Sequence, residues 1–287
     1  PNELVVSLQE IVGNIEERRG SSSSVSINGD ELYQELDSEI RLFQSSYNSA
    51  TWTGDVQSYG INATTGEVKS DYEWSAAWQL DNNSTWSNRE IATYDGSTGI
   101  DFDYTSLNST QQAHLNPGNE TLLKYLKGDQ SNEGSPYRSR SSILGDIVHS
   151  SPAYHEEVLY AGGNDGMLHA FNATTGKEIF AYVPGMVFDD LAALAQTDYS
   201  HQFYVDLTPV VEKGQNLIDE TDSDAESLLV GGLRKGGKGY YALDVTDAGS
   251  ISTTGTDLKD QVLWEYTNAT HLGYTYSRPS IVRSNDS

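Results

Sequence analysis

The densest group of possible metal ligands in the sequence is acidic and lies in one segment, 219–226 (DETDSDAE). Asp222, Asp224 and Glu226 have the 1-3-5 spacing of a calcium-binding loop. Such a loop also needs glycine at its sixth position and glutamate at its twelfth, where this sequence has serine and leucine. We therefore interpret the segment as a solvated acidic insert and assign no metal site to it.

A second candidate is the glycine-rich segment 232–239 (GLRKGGKG), which nearly matches a phosphate-binding loop. Gly239 stands where the serine or threonine that holds Mg²⁺ is required. A strand-like segment follows instead of the helix whose N-terminus would attract the phosphate. The pattern therefore favours a hairpin between two strands over a nucleotide site.

The remaining candidates also give no catalytic, cofactor-binding or metal residue, so the sequence predicts a protein that is not an enzyme. No nucleophile elbow G-x-S-x-G occurs. Asn164-Asp165-Gly166 predicts a tight hairpin turn. Lys127-Gly128-Asp129, on a predicted polar loop, is similar to an integrin-binding tripeptide, but such tripeptides are common by chance. His169 is expected to face outward or to fill a sheet. The histidines without paired ligand spacing are His114, His149, His155, His169, His201 and His271.

Composition excludes several classes of protein. The 287 residues contain 17 Lys and Arg against 42 Asp and Glu, a net charge of −25 that opposes binding to nucleic acid. Cysteine is absent, so disulfides and cysteine metal sites are excluded, and no apolar run is long enough to span a membrane. The 26 glycines and 18 tyrosines suit a β-rich protein with many turns. A start without Met or signal peptide indicates an excerpt from a longer protein.

Hydrophobic spacing predicts an all-β fold with minor helical inserts after a short N-terminal helix. The helix is expected over 2–19, followed by a serine-rich linker at 20–24. We divide the sequence into 1–25, the helix and linker, and 26–287, the β portion. Strands are predicted at 40–44, 52–61, 89–94 and 100–104, and helical pieces at 109–115, 120–126 and 188–196.

A repeat from residue 149 onward is the strongest structural signal. Two units, about 149–183 and 206–267, each contain four short strands with a Gly-Gly pair ending the second, and a third begins near 276. Their entry prolines, Pro152, Pro209 and Pro279, are 57 and 70 residues apart. The pattern predicts blades of a modified β-propeller whose ring is incomplete in this chain. A β-sandwich with coincidental spacing is the structural alternative.

Several motifs in order closely resemble the C-terminal propeller of the PilC/PilY family of type IV pilus-associated proteins. The resemblance is strongest over 120–283. Its N-D-G-x-L-x-A-x-x-x-x-T-G piece is less specific, because quinoprotein-type propellers share it. The motifs are 125–133 (YLKGDQSNE), 138–152 (RSRSSILGDIVHSSP), 163–171 (GNDGMLHAF) with 175–176 (TG), 198–201 (DYSH), and 204–206 (YVD) with 208–209 (TP).

The resemblance implies an exported protein at the bacterial cell surface, at the pilus tip or outer membrane. It implies a role in pilus assembly or extension and in adhesion, with pilins, minor pilins and host or surface receptors as partners. The family's link to calcium runs through an acidic loop of a later blade, expected beyond Ser287. We expect a rigid scaffold that presents the inserts 188–196 and 214–226 to partners. The functional alternatives are a quinone-cofactor (PQQ) dehydrogenase propeller and a scaffold for outer-membrane assembly.

Overall fold

The computed structural model describes residues 22–27, 41–62, 65–115, 120–213, 226–251 and 257–282, with the backbone alone for 22–27. Within these residues the fold consists of three β-sheets joined by short helices. The expected helix at 2–19 and the acidic segment up to residue 225 lie outside the described residues.

The first sheet is a four-stranded antiparallel meander in sequence order. Its β2–β3 ladder is its longest, and β3 alternates half-buried and buried residues over its first six positions, as a sheet covered on one face requires. Ser22–Ser24 belong to a strand, so this part of the expected linker is ordered into the sheet. The strands are β1 (Ser22–Ile27), β2 (Arg41–Asn48), β3 (Thr53–Gly60) and β4 (Trp74–Ser75).

A helix that sequence analysis did not predict follows this sheet directly. Helix α1 (Ala76–Asn83) begins at Ser75, whose side chain accepts a hydrogen bond from the Trp78 amide. Such a serine cap satisfies one of the free amides of the first turn. The Asp55 carboxylate accepts from both the Ser75 hydroxyl and the Ala77 amide, which ties the helix start to β3.

The second sheet contains the first predicted blade and two further strands. Its order is β6-β5-β10-β9-β8-β7, antiparallel except for the parallel pair β5–β10, in which Ile91–Thr93 lie opposite Ala181–Val183. Sequence analysis predicted β5 and β6 but not that they extend the blade. The strands are β5 (Ile91–Tyr94), β6 (Gly99–Asp101), β7 (Ala153–His155), β8 (Val158–Gly162), β9 (Leu168–Asn172) and β10 (Glu178–Val183).

The third sheet confirms the second predicted blade as an antiparallel meander in sequence order. The Gly-Gly pair has a packing reason, since a Cβ on Gly231 would overlap the Tyr241 ring and one on Gly162 the Val205 carbonyl. Residues 278–282, the expected start of a third unit, form no strand. The strands are β11 (Val210–Lys213), β12 (Ser227–Gly232), β13 (Tyr240–Asp244) and β14 (Val262–Tyr266).

Within the described residues, three helices follow α1, namely α2 (Ser109–His114), α3 (Glu120–Lys127) and α4 (Phe188–Leu191), the last continued by a 3₁₀ turn at Ala192–Ala195. The apolar face of the expected insert 188–196 is buried, and its exposed residues are Asp189, Asp190 and Gln196. Phe188, Leu191 and Leu194 are at most 4% exposed and pack in the main core. Their three-residue spacing places them on one apolar face of the segment. Burying this face in the core stabilises the fold, because it removes apolar surface from water.

Two hydrophobic clusters hold the sheets together. The larger one joins the second and third sheets with the helices, and the smaller one joins the first and second sheets through residues such as Phe43 and Phe171. The Trp74 indole donates to the Ala173 carbonyl at 3.0 Å, which adds a hydrogen bond across that second contact. Among the described residues, no helix is both long and apolar enough to cross a bilayer.

Candidate functional site

Hairpins from all three sheets converge on residues 199–206, the segment that leads into the third sheet. We call this surface the hairpin face. Three contacts define it, one from each hairpin: Trp52 stacks on His201, the Asn164 side chain accepts from the Tyr204 amide at 3.0 Å, and the Lys235 ammonium lies 4.7 Å from the Phe203 ring centroid. The convergence places side chains distant in sequence on one surface.

Four rings form a continuous row across this face, which we call the aromatic row: Trp52, His201, Phe203 and His149. Trp52 and His201 are stacked with ring centroids 3.8 Å apart, and Phe203 meets His201 edge-on at 4.8 Å. His149 lies 5.6 Å from Phe203. Such stacked and edge-on pairs fix ring positions and favour aromatic and polar contacts with a partner.

Two buried carboxylates hold the imidazoles of the row. Asp146 lies 2.8 Å from His201 Nε2, and Asp206 lies 2.8 Å from His149 Nδ1. Both carboxylate side chains are at most 1% exposed, and burial raises the pKa of Asp206 although His149 and Arg234 oppose this. Within the described part of the protein, neither imidazole hydrogen bonds to a hydroxyl group. The geometry orients two rings at a surface.

Two residues of the hairpin face have a left-handed backbone. Trp52 has φ 52° and Arg234 has φ 51°, a region that bulky side chains rarely occupy. Trp52 contacts His201, and the Arg234 guanidinium lies 3.4 Å from Asp206. Strain of this kind persists where surrounding structure enforces it, and it is concentrated at functional surfaces.

A buried ionic cluster of four groups lies beneath the hairpin face. Arg89 forms a two-point ion pair with Glu178 at 2.6 and 2.8 Å, and its Nη1 donates to the Lys127 carbonyl. His169 lies between the two carboxylates, 2.8 Å from Glu178 and 3.1 Å from Asp165. Two cations thus face two carboxylates, and every charge has a partner.

The cluster fixes the charge of each member. Burial by itself would lower the pKa of His169, but Asp165 and Glu178 outweigh it and raise this pKa to about 9. Burial would raise the pKa of Glu178, but Arg89 and His169 hold it at about 2. The imidazolium is therefore charged at neutral pH. Sequence analysis identified the Asn164–Gly166 hairpin turn but not these buried partners of Asp165.

The sequence candidates are placed as follows. The tripeptide beginning at Lys127 is not on an exposed loop, because Lys127 ends α3, is 8% exposed and binds Asp103 at 2.7 Å. The segment 232–239 is the β12–β13 hairpin, as predicted, with a short 3₁₀ turn at Arg234–Gly236. Of the acidic 219–226 candidates, only Glu226 lies in the described part of the protein, and it is exposed.

Glu265 joins the second and third sheets. From β14 its Oε1 accepts the Tyr182 hydroxyl at 2.5 Å and the Gly185 amide at 2.7 Å. Burial raises the pKa of Glu265 to about 7, although these donors act in the opposite direction. This contact therefore titrates near neutral pH.

The free energy of unfolding should fall as pH rises from about 5 to 7.5. Over this range Glu265 loses its proton, and burial in the folded protein disfavours the charged carboxylate. A folded pKa of about 7 against 4.5 for the unfolded state corresponds to about 3 kcal/mol, fully present below the unfolded value and lost through pH 7. Glu265→Gln keeps an acceptor oxygen and should remove most of this slope. Urea unfolding at several pH values measures it, with exposed Glu120→Gln as control. An unchanged slope in Glu265→Gln contradicts the prediction.

Repeated four-stranded meanders with glycine-pair second strands define this chain as a β-propeller-type protein whose ring is incomplete here. A family model described as the PilY1 beta-propeller domain matches residues 144–287. The chain belongs to the PilY1 β-propeller family.

Curated relatives extend the similarity over nearly the whole sequence. The type IV pilus biogenesis factor PilY1 of Pseudomonas aeruginosa (strain UCBPP-PA14) is 32% identical over 99% of this chain. A PilY1 homologue of Xylella fastidiosa (strain Temecula1) is 33% identical over 99%. The chain spans 27% and 24% of these relatives. A crystal structure of the P. aeruginosa PilY1 C-terminal domain is 38% identical, covers 43% of this chain and 21% of that chain, and has a TM-score of 0.29.

Proposed function

We propose that this chain is the propeller portion of a type IV pilus biogenesis factor, and that it acts in pilus extension and adhesion by binding and not by catalysis. The observation that carries the proposal is the match of residues 144–287 to the PilY1 beta-propeller domain. The relatives that cover nearly the whole sequence bear the same name. The proposed partners are pilins or minor pilins and surface receptors, and the proposed location is the cell surface, at the pilus tip or outer membrane.

The fold supports a binding role in mechanical terms. Two clusters of buried side chains connect all three sheets, and the ionic cluster ties the β8–β9 turn, through Asp165, to β9 and β10. A surface on such a rigid scaffold loses little conformational entropy when a partner binds. No described feature favours a quinone dehydrogenase or a scaffold for outer-membrane assembly.

The family resemblance also leads us to propose calcium as a ligand of the parent protein, bound outside this chain. The described residues contain no group of three or more histidine, aspartate or glutamate side chains that could hold a metal ion. The binding role proposed for this chain does not require a calcium ion.

Deletion of the gene from its native host should abolish surface pili and twitching, and the wild-type gene should restore both. A gene carrying Trp52→Ala and Phe203→Ala should fail to restore them at unchanged protein level, because the aromatic row is lost from the hairpin face. Sheared surface pilin on immunoblots and twitching zones are the measurements. Tyr72→Ala is the control, since Tyr72 is 52% exposed and outside the row.

Normal piliation in the deletion strain would contradict the proposed function. If outer-membrane proteins were disturbed at the same time, the assembly-scaffold alternative would replace it. Alcohol turnover by the purified protein after reconstitution with the quinone cofactor would contradict the non-catalytic part of the proposal.

A further inference from the structure

A small cavity opens beside the aromatic row, between the β2–β3 hairpin and segment 138–145. Its volume is about 20 Å³, enough for one water molecule or one carboxylate oxygen. Trp52 belongs both to its lining and to the aromatic row, so the cavity and the row form one continuous surface. Arg138 and Arg140 supply positive charge to the lining.

Arg140 is buried with part of its hydrogen-bonding capacity unused. Its side chain is 8% exposed, its Nε donates to Glu133 at 2.7 Å, and its guanidinium lies 3.7 Å from the Tyr125 ring centroid. Its Nη2 has no hydrogen-bond partner within the described residues. A buried charged donor without an acceptor is costly, so a negative group in the adjoining cavity would be stabilised by the charge of Arg140.

Arg138 provides a second fixed guanidinium in the same lining. Its Nε donates to the Leu194 carbonyl at 2.7 Å, and its guanidinium lies 4.1 Å from the Tyr199 ring centroid. Its two Nη groups make no hydrogen bond to the residues that the structure describes. Stacking on tyrosine leaves such forked donors oriented for a carboxylate.

The charge of the surroundings limits the ligand to a single anionic group. Glu133 neutralises one of the two guanidiniums, and Asp165 in the lining is already paired with His169. One positive charge therefore remains in a protein with a net charge of −25, which repels polyanions. The site suits one carboxylate on an otherwise neutral molecule.

The aromatic row favours a peptide as the body of that molecule. Stacking covers a face of Trp52 and of His201, which reduces the flat ring surface that a sugar needs. The second ring nitrogens of His149 and His201 have no partner in the described part of the protein and can bond peptide groups. Ring edges and imidazole nitrogens suit an extended peptide.

We propose that this cavity binds a carboxylate of a peptide segment, whose neighbouring residues lie along the aromatic row. The carboxylate accepts hydrogen bonds from the Nη groups of Arg138, and the buried charge of Arg140 in the same lining adds electrostatic attraction. It is either the terminal carboxylate of the peptide or the carboxylate of an aspartate or glutamate within it. The inference does not depend on the proposed role in pilus biogenesis.

Calorimetric titration of the 287-residue chain tests the proposal with four probes. These are N-acetyl-Gly-Gly-Phe as free acid, the same peptide amidated, N-acetyl-Gly-Asp-Phe amide, and galacturonic acid. The free acid or the aspartate peptide should bind at least about tenfold more tightly than the neutral amide, as expected for hydrogen bonds to a charged group. The stronger of the two identifies the source of the carboxylate.

Arg138→Gln should weaken the binding of the tighter-binding peptide about tenfold. Trp52→Ala should also weaken this binding, by more than any loss of folded protein accounts for. Arg41→Gln is the matched control, since Arg41 pairs with Glu73 on the first sheet, and it should bind like the wild type. The comparison of acid with amide needs no variant, so it stands even if Arg138→Gln or Trp52→Ala fails to fold. Equal binding of acid and amide, binding of galacturonic acid alone, or no binding would each overturn the proposal.

Discussion

Replacement of Arg89 by methionine should lower the free energy of unfolding by about 3–5 kcal/mol, the usual cost of removing one partner of a buried ion pair. The Arg89 and Glu178 side chains are 3% and 5% exposed, so water cannot replace the lost guanidinium. Glu178 and Asp165 would then share only the His169 imidazolium. Urea unfolding at pH 7 measures the change.

The matched control is Lys124→Met, which removes an exposed ion pair to Glu120 on α3. Because both groups are solvated, the change should stay within about 0.5 kcal/mol. Arg89→Lys should fall between the two variants, since it keeps the charge but not the two-point geometry. A loss below about 1 kcal/mol in Arg89→Met would mean that the cluster does not hold the β8–β9 hairpin in place.

Substitution of Tyr241 should separate the packing of its ring from the effect of its hydroxyl group. The ring is fully buried between the second and third sheets, with its centroid 5.3 Å from that of Tyr182. Tyr241→Ala should therefore cost about 3–5 kcal/mol, as truncation of a buried aromatic side chain does. Tyr241→Phe should be neutral or stabilising, because the hydroxyl has no partner within the described residues.

Urea unfolding followed by tryptophan fluorescence measures both variants. Tyr182→Phe is the comparison, since its hydroxyl donates to Glu265 and its loss should cost about 1 kcal/mol or more. If Tyr241→Phe were as destabilising as Tyr241→Ala, the hydroxyl would have a partner and the packing interpretation would be wrong.

The sequence predicted the repeated parts of the fold because their signals are local. Alternating residues and turn glycines mark each strand of β7–β10 and β11–β14, and two units in the same order reinforce each other. The β5–β10 pair could not be predicted in this way. Ile91 and Ala181 are partners across 90 positions, and no local pattern records a pairing of that length.

The candidate site was harder to predict than the fold. Asp165 lies in a strong turn motif. Because the turn alone accounts for an aspartate at this position, nothing in the sequence indicated its role in the ionic cluster. The aromatic row joins Trp52 and His149 to His201 and Phe203, and no regular spacing in the sequence relates them. The apolar spacing of Phe188, Leu191 and Leu194 was present in the sequence, but it was interpreted as an insert and not as a buried face.

The parallel β5–β10 pair has a consequence for dissecting the protein into fragments. The family match begins at residue 144, after β5 and β6, so a recombinant piece cut there would lack the two outermost strands of the second sheet. The amides and carbonyls of Ala181–Val183 would be left open for self-association, and Glu178 would lose Arg89. A soluble fragment of this region therefore has to begin upstream of Arg89.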